Sequence, residues 1–90
     1  MAVYRFIISG KVQGVWYRKF VSENAKKAGF KGYVRNLPDT RVEAVAEIEN
    51  DERLKEFIEI LKKGSPYSEV KDIEIEQIED IKFNDFEIRY

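Results

Sequence analysis

Apolar residues in this chain recur first at every second position, then at helical spacing, and the cycle runs twice within 90 residues. Few compact folds accept that order. In residues 3–9, Tyr4, Phe6 and Ile8 share one face and Val3, Arg5 and Ile7 the other. Beta-branched and aromatic residues at period two predict a strand, and two largely apolar faces predict a central one. Tyr17, Phe20, Val21, Ala25 and Ala28 then follow the stripe of an amphipathic helix over residues 16–28, and Gly29 suits the left-handed position that ends it.

The second cycle starts with a strand over residues 31–36, where Gly32, Val34 and Asn36 face one way. Leu37-Pro38-Asp39-Thr40 predicts a turn. Residues 42–48 predict a third strand, with Val42, Ala44, Ala46 and Ile48 on one side and Glu43 and Glu47 on the other, the pattern of a sheet wet on one face. Asn50 or Asp51 can cap a second helix running to about Lys62, with the stripe Leu54, Phe57, Ile58 and Leu61 and a stop at Gly64. Residues 70–77 and 83–89 predict two further strands; Ile73 and Ile75 share a face in one, Phe86, Ile88 and Tyr90 in the other. The order βαββαβ with a short final strand predicts the α/β (α+β) class. Its expected form is a ferredoxin-like sandwich, an antiparallel sheet with two helices on one face. The length suits one domain, residues 1–90.

Composition then removes whole classes of chemistry. The chain has no cysteine and no histidine. Thiolate nucleophiles, imidazole bases and Cys/His zinc sites are excluded. The 16 basic and 17 acidic residues leave a formal charge of −1, which gives no global pull toward nucleic acid or anionic membrane. No apolar run approaches the ~20 residues that span a bilayer, and the start Met-Ala-Val-Tyr-Arg-Phe lacks a signal peptide's basic and apolar regions, so a cytoplasmic protein is expected. No long apolar surface strand calls for assembly, and a monomer is expected. Charged residues at 37%, rich in Glu and Lys with few Asn, Gln and Met, resemble the composition of heat-adapted proteins.

One segment carries a chemical signature of its own. Gly10-Lys11-Val12-Gln13-Gly14-Val15-Trp16-Tyr17-Arg18 joins the first strand to the first helix. A helix start normally has a Ser, Thr, Asp or Asn cap, and none stands between Ser9 and Ser22. Two readings satisfy the exposed amides. A bound anion would use the backbone N–H groups and the helix dipole, with the Arg18 fork folded over it. Alternatively, water takes the amides and Gln13 helps cap the helix. The spacing matches neither a Walker loop nor a dinucleotide-binding fingerprint.

That segment closely resembles the signature Gly-x-Val-Gln-Gly-Val-x-Phe/Tyr-Arg of the acylphosphatase family. Gly32-Tyr33-Val34-Arg35-Asn36 resembles the family's Gly-x-Val-x-Asn, and Phe86-Glu87-Ile88-Arg89-Tyr90 resembles its terminal Phe-x-Ile-Arg-Tyr. The resemblance implies hydrolysis of acyl phosphates, with Arg18 and Asn36 catalytic. It implies that the backbone amides of Gln13, Gly14, Val15, Trp16, Tyr17 and Arg18 bind the phosphoryl group, with no metal and no cofactor. Inorganic phosphate or sulfate would then compete with the substrate. Thr40 stands where the family turn usually has Gly, and the cost of positive φ for Thr predicts a turn of different geometry. Phe86 and Tyr90 are expected to pack in the core or at the sheet edge. Lys31-Gly32-Tyr33 faintly echoes an RNA-binding strand motif, but the rest of that motif is absent and no nucleic-acid partner is expected. A small-ligand regulatory module and a carbamoyl-phosphate role both suit longer chains better.

Overall fold

A computed structural model describes all 90 residues. Its elements are β1 (Ala2–Lys11), α1 (Tyr17–Lys27), β2 (Gly32–Asn36), β3 (Val42–Ile48), α2 (Asp51–Lys63), β4 (Glu69–Ile78) and β5 (Phe86–Arg89). The strands form one sheet in the order β4-β1-β3-β2-β5. β1 runs antiparallel to β3 and β4, and β2 antiparallel to β3, which is the ferredoxin-like arrangement. β1 lies in the interior, as its two apolar faces require.

β5 is the addition to that plan. It lies parallel to β2, with Gly32 opposite Phe86 and Val34 opposite Ile88, so the complete sheet is mixed. On its other side Gly32 packs so closely against β3 that an added Cβ would collide with the carbonyl of Val45. β5 begins at Phe86, later than the alternation suggests. Residue 83 is held otherwise: its amide donates to Glu47 Oε2 at 3.0 Å and its ring meets Tyr33 edge-on at 5.9 Å.

Both helices bury their stripes on the same face. Tyr17, Val21 and Ala25 of α1 and Phe57 and Leu61 of α2 pack with Phe6, Ile8, Val34, Ala44 and Ala46 of the sheet. Phe57 is the centre, with ring centroids 5.0 Å from Phe6 and Phe30 and 5.9 Å from Phe86. Such pairs contribute about 0.5–1.5 kcal/mol each beyond their buried area. Asn50 caps α2 by accepting the Arg53 N–H at 2.9 Å. β4 is an outer strand, so Val70 and Ile73 reach the core while Ile75 stays largely exposed.

The opposite face of the sheet is not wet at its centre. Val3, Ile7, Glu43 and Val45 are buried there. Long side chains cover them: Glu43 Oε1 accepts from Arg35 Nε at 2.7 Å and Tyr33 Oη at 2.9 Å, and Oε2 lies 3.1 Å from Arg5 Nε. A buried carboxylate is tolerable only when paired in this way.

Tyr17 ties the two helices together. Its hydroxyl donates to the Leu61 carbonyl at 2.7 Å, near the C-terminal end of α2. Burial raises the phenol well above its ordinary value. The folded chain therefore keeps the proton when the unfolded chain gives it up near pH ~10. The stability from this group is complete below that pH and is lost as pH rises toward the folded value. Tyr17→Phe is expected to lose about 1 kcal/mol at pH 7, because the Leu61 carbonyl loses its donor. It should also decline less steeply above pH ~10, with Tyr33, likewise raised by burial, supplying the remaining slope. Urea unfolding at pH 7 and pH 11 measures both effects.

Candidate active site

β1 ends at Lys11, and α1 starts only after a bent connection through Gly14, with φ 71°, and Trp16, with φ 67°. Both residues adopt left-handed backbone, which is ordinary for Gly and costly for Trp. Trp16 is the residue before the helix, and no side chain caps it. None of the backbone N–H groups from Gln13 to Arg18 donates to another backbone group or to a side chain. The loop thus presents unpaired donors at the positive end of a helix.

The connection is fastened by groups on both sides. Ser65 Oγ donates to the Val15 carbonyl at 2.5 Å. Gln13 Nε2 donates to the carbonyls of Leu37 at 2.9 Å and Arg41 at 2.8 Å. The helix-capping alternative for Gln13 is therefore corrected: its side chain reaches across to the β2–β3 turn instead. Sequence spacing gives no sign of this, because the partners are 24 and 28 residues away.

A cleft of about 510 Å³ opens where these parts meet. Gly14, Trp16, Tyr17, Arg18 and Asn36 line it, together with Val12, Lys19, Ile88 and Tyr90. Arg18 and Asn36, far apart in sequence, thus share one wall. Gln13 and Val15 lie outside the lining; Val15 turns its side chain into the core. Arg18 has no carboxylate within salt-bridge distance, unlike Arg5, Arg35 and Arg89 of the sheet and Arg41 of the turn. Its guanidinium carbon stands 4.9 Å from the Tyr90 ring centroid, a cation–π contact that leaves the N–H fork free. Phe86 is core, as expected, whereas Tyr90 belongs to the cleft. Asn36 Oδ1 is buried and has no hydrogen-bond partner in the chain. An unpaired buried acceptor costs about 1–3 kcal/mol, and such a group in a folded chain calls for a partner or a role.

The turn after Asn36 departs from expectation. Thr40 adopts positive φ, 78°, in place of a different turn geometry. The surrounding bonds impose it: Leu37 N–H donates to Arg41 O at 2.8 Å, and Thr40 N–H to Leu37 O at 3.3 Å. Asp39 adds two bonds to Arg41, and they hold its carboxyl below the usual range. A left-handed L-residue costs about 1–2 kcal/mol, partly offset in Gly by its greater freedom when unfolded. Thr40→Gly should therefore stabilise the chain by about 0.5–1 kcal/mol, read as a higher urea midpoint at unchanged slope.

Comparison with known proteins identifies the family. The profile of the acylphosphatase family matches residues 4–88. A Bacillus licheniformis acylphosphatase is 43% identical over 91 residues, covering 100% of both chains. The crystal structure of acylphosphatase from Bacillus subtilis superimposes with a TM-score of 0.90 at 41% identity, again over 100% of each chain. The chain also resembles 12% of the much longer T. kodakarensis HypF, at 37% identity and a TM-score of 0.79. The chain belongs to the acylphosphatase family, and with it to the enzymes that hydrolyse acyl phosphates.

Proposed function

We propose that Arg18 and the backbone amides of Gln13, Gly14, Val15, Trp16, Tyr17 and Arg18 bind the phosphoryl group of an acyl phosphate. Asn36 orients the water that attacks it. One observation carries the reading. A guanidinium with no acid partner and an asparagine with an unmet buried oxygen share the wall of one cleft. Asn36 cannot act as a base, but its carbonyl accepts from water and its amide donates.

The chemistry needs little proton transfer. An acyl phosphate is a mixed anhydride, and its leaving carboxylate has a conjugate acid of pKa near ~4. Water oxygen bonds to phosphorus, the phosphorus–oxygen bond to the acyl group breaks, and the electron pair leaves with the carboxylate. A phosphoryl oxygen takes the water proton. Catalysis rests on orientation and on charge neutralisation. No Asp or Glu side chain lines the cleft, and no group of three His, Cys, Asp or Glu side chains in the chain could hold a metal ion. The expected enzyme is metal-independent. The same reading includes competition by inorganic phosphate or sulfate, a monomeric cytoplasmic protein and a heat-adapted source. No helix is long and apolar enough to cross a membrane, and 37% of residues are charged.

The test is phosphate release from a synthetic aryl acyl phosphate, with a phosphomonoester as control. Turnover of the acyl phosphate should be undiminished by chelator, and the phosphomonoester should be inert, because its alkoxide leaves only with an acid's help. Activity that vanished in chelator and returned with Mg²⁺ would overturn the metal-independent route.

A further inference from the structure

Arg18 and Asn36 stand on parts of the chain that no ladder joins directly. Arg18 follows β1 and Asn36 ends β2, while β3 lies between those two strands. In the loop before Arg18, no backbone N–H of residues 13–18 donates within the chain, and its carbonyls are held only from α1 and Ser65. The turn after Asn36 is exposed at Pro38, Asp39 and Thr40 and carries the positive φ of Thr40. Neither segment fixes the other through its backbone.

Gln13 makes the missing link. Its carboxamide nitrogen has two hydrogens, and its two acceptors are the carbonyls of Leu37 and Arg41. Leu37 is the neighbour of Asn36. The Arg41 carbonyl is the one that also closes the turn by accepting the Leu37 N–H. Two carbonyl partners fix which end of the amide is nitrogen, so the side chain has one orientation. We propose that Gln13 is a positioning residue for hydrolysis, setting the distance between the anion-binding loop and Asn36. The inference rests on the reading of Asn36 as the group that orients water. Gln13 lies outside the cleft lining, so it acts through Asn36 and the loop. A displacement of ~1 Å between reacting groups can cost ~10²-fold in rate.

The experiment uses the full chain with Gln13→Ala, Gln13→Met, Asn36→Ala and the double variant Gln13→Ala/Asn36→Ala. Saturating turnover of an aryl acyl phosphate, calorimetric affinity for inorganic phosphate and urea unfolding are measured for each. Gln13→Ala and Gln13→Met should lower kcat about 30- to 100-fold and leave phosphate affinity within about threefold, because Arg18 and the helix end still hold the anion. In the Asn36→Ala background, Gln13→Ala should remove less than about threefold more, since its effect runs through the residue already lost. An equal fold-loss in both backgrounds, or turnover kept while unfolding shifts, means an ordinary structural bond and overturns the proposal. So does failure of both Gln13 variants to fold. If Asn36→Ala lowers turnover while Gln13→Met does not, this inference alone fails. If Asn36→Ala keeps full turnover, the water reading fails and takes this one with it.

Discussion

Arg18→Ala is expected to lower kcat/KM on the order of 10³-fold or more and to abolish stabilisation by phosphate. Arg18 is the cleft's arginine, it has no acid partner to satisfy it, and Tyr90 supports its guanidinium from one side. Its fork would contact the phosphoryl oxygens in the bound state and again as charge shifts during transfer, so both binding and chemistry suffer. Arg18→Lys should recover little, because it keeps the charge and loses the planar donors. In the unmodified chain, phosphate at ~100 times its dissociation constant should add about 2.7 kcal/mol to unfolding. Steady-state kinetics and thermal unfolding across a phosphate titration at constant ionic strength check both expectations. An unchanged melting temperature in the unmodified chain would remove the anion site.

Asn36→Ala should behave differently, with kcat falling on the order of 10²–10³-fold and phosphate affinity almost unchanged. The residue offers nothing that the anion requires, whereas its amide is the neutral donor–acceptor suited to holding water. Folding should survive and even gain slightly, since the substitution removes a buried oxygen that has no partner. Calorimetry and initial rates on the purified variant separate the two properties. A variant with full turnover would leave the phosphate cradle standing and end the water-positioning role.

The periodic part of the molecule was legible in the residues. β3 runs over Val42–Ile48, the span its alternation predicts, and α2 starts at the cap offered by Asn50. Regular elements announce themselves because each buried face repeats at a fixed spacing. What escaped has no repeat. β5 is only Phe86–Arg89, too short for a period to show, and its parallel pairing with β2 joins segments more than 50 residues apart. Glu43 reads as a wet residue because its alternation is polar; its burial comes from Arg5, Arg35 and Tyr33, on β1 and β2. Arg18 and Asn36 were readable as candidates from their motifs. Tyr90 was not, since a terminal aromatic on an apolar face looks like packing until Arg18 is found beside it. Thr40 shows the converse. Its intrinsic reluctance was real, but closure of the turn by the Leu37 and Arg41 backbones outweighed it.

The place of β3 between β1 and β2 has a kinetic consequence. Ile8 of β1 and Asn36 of β2 both pair with Val42, so one residue of the middle strand sets the register on either side. A slip of one position at either seam would turn Asn36 to the other face of the sheet. Refolding chains that have collapsed, formed both helices and even joined β1 to β4 still lack a catalyst until both seams close in register. Such long-range pairing is slow to form, because distant segments must meet before any contact rewards them. Recovery of turnover during refolding therefore times the last seam to close and lags behind helical circular dichroism.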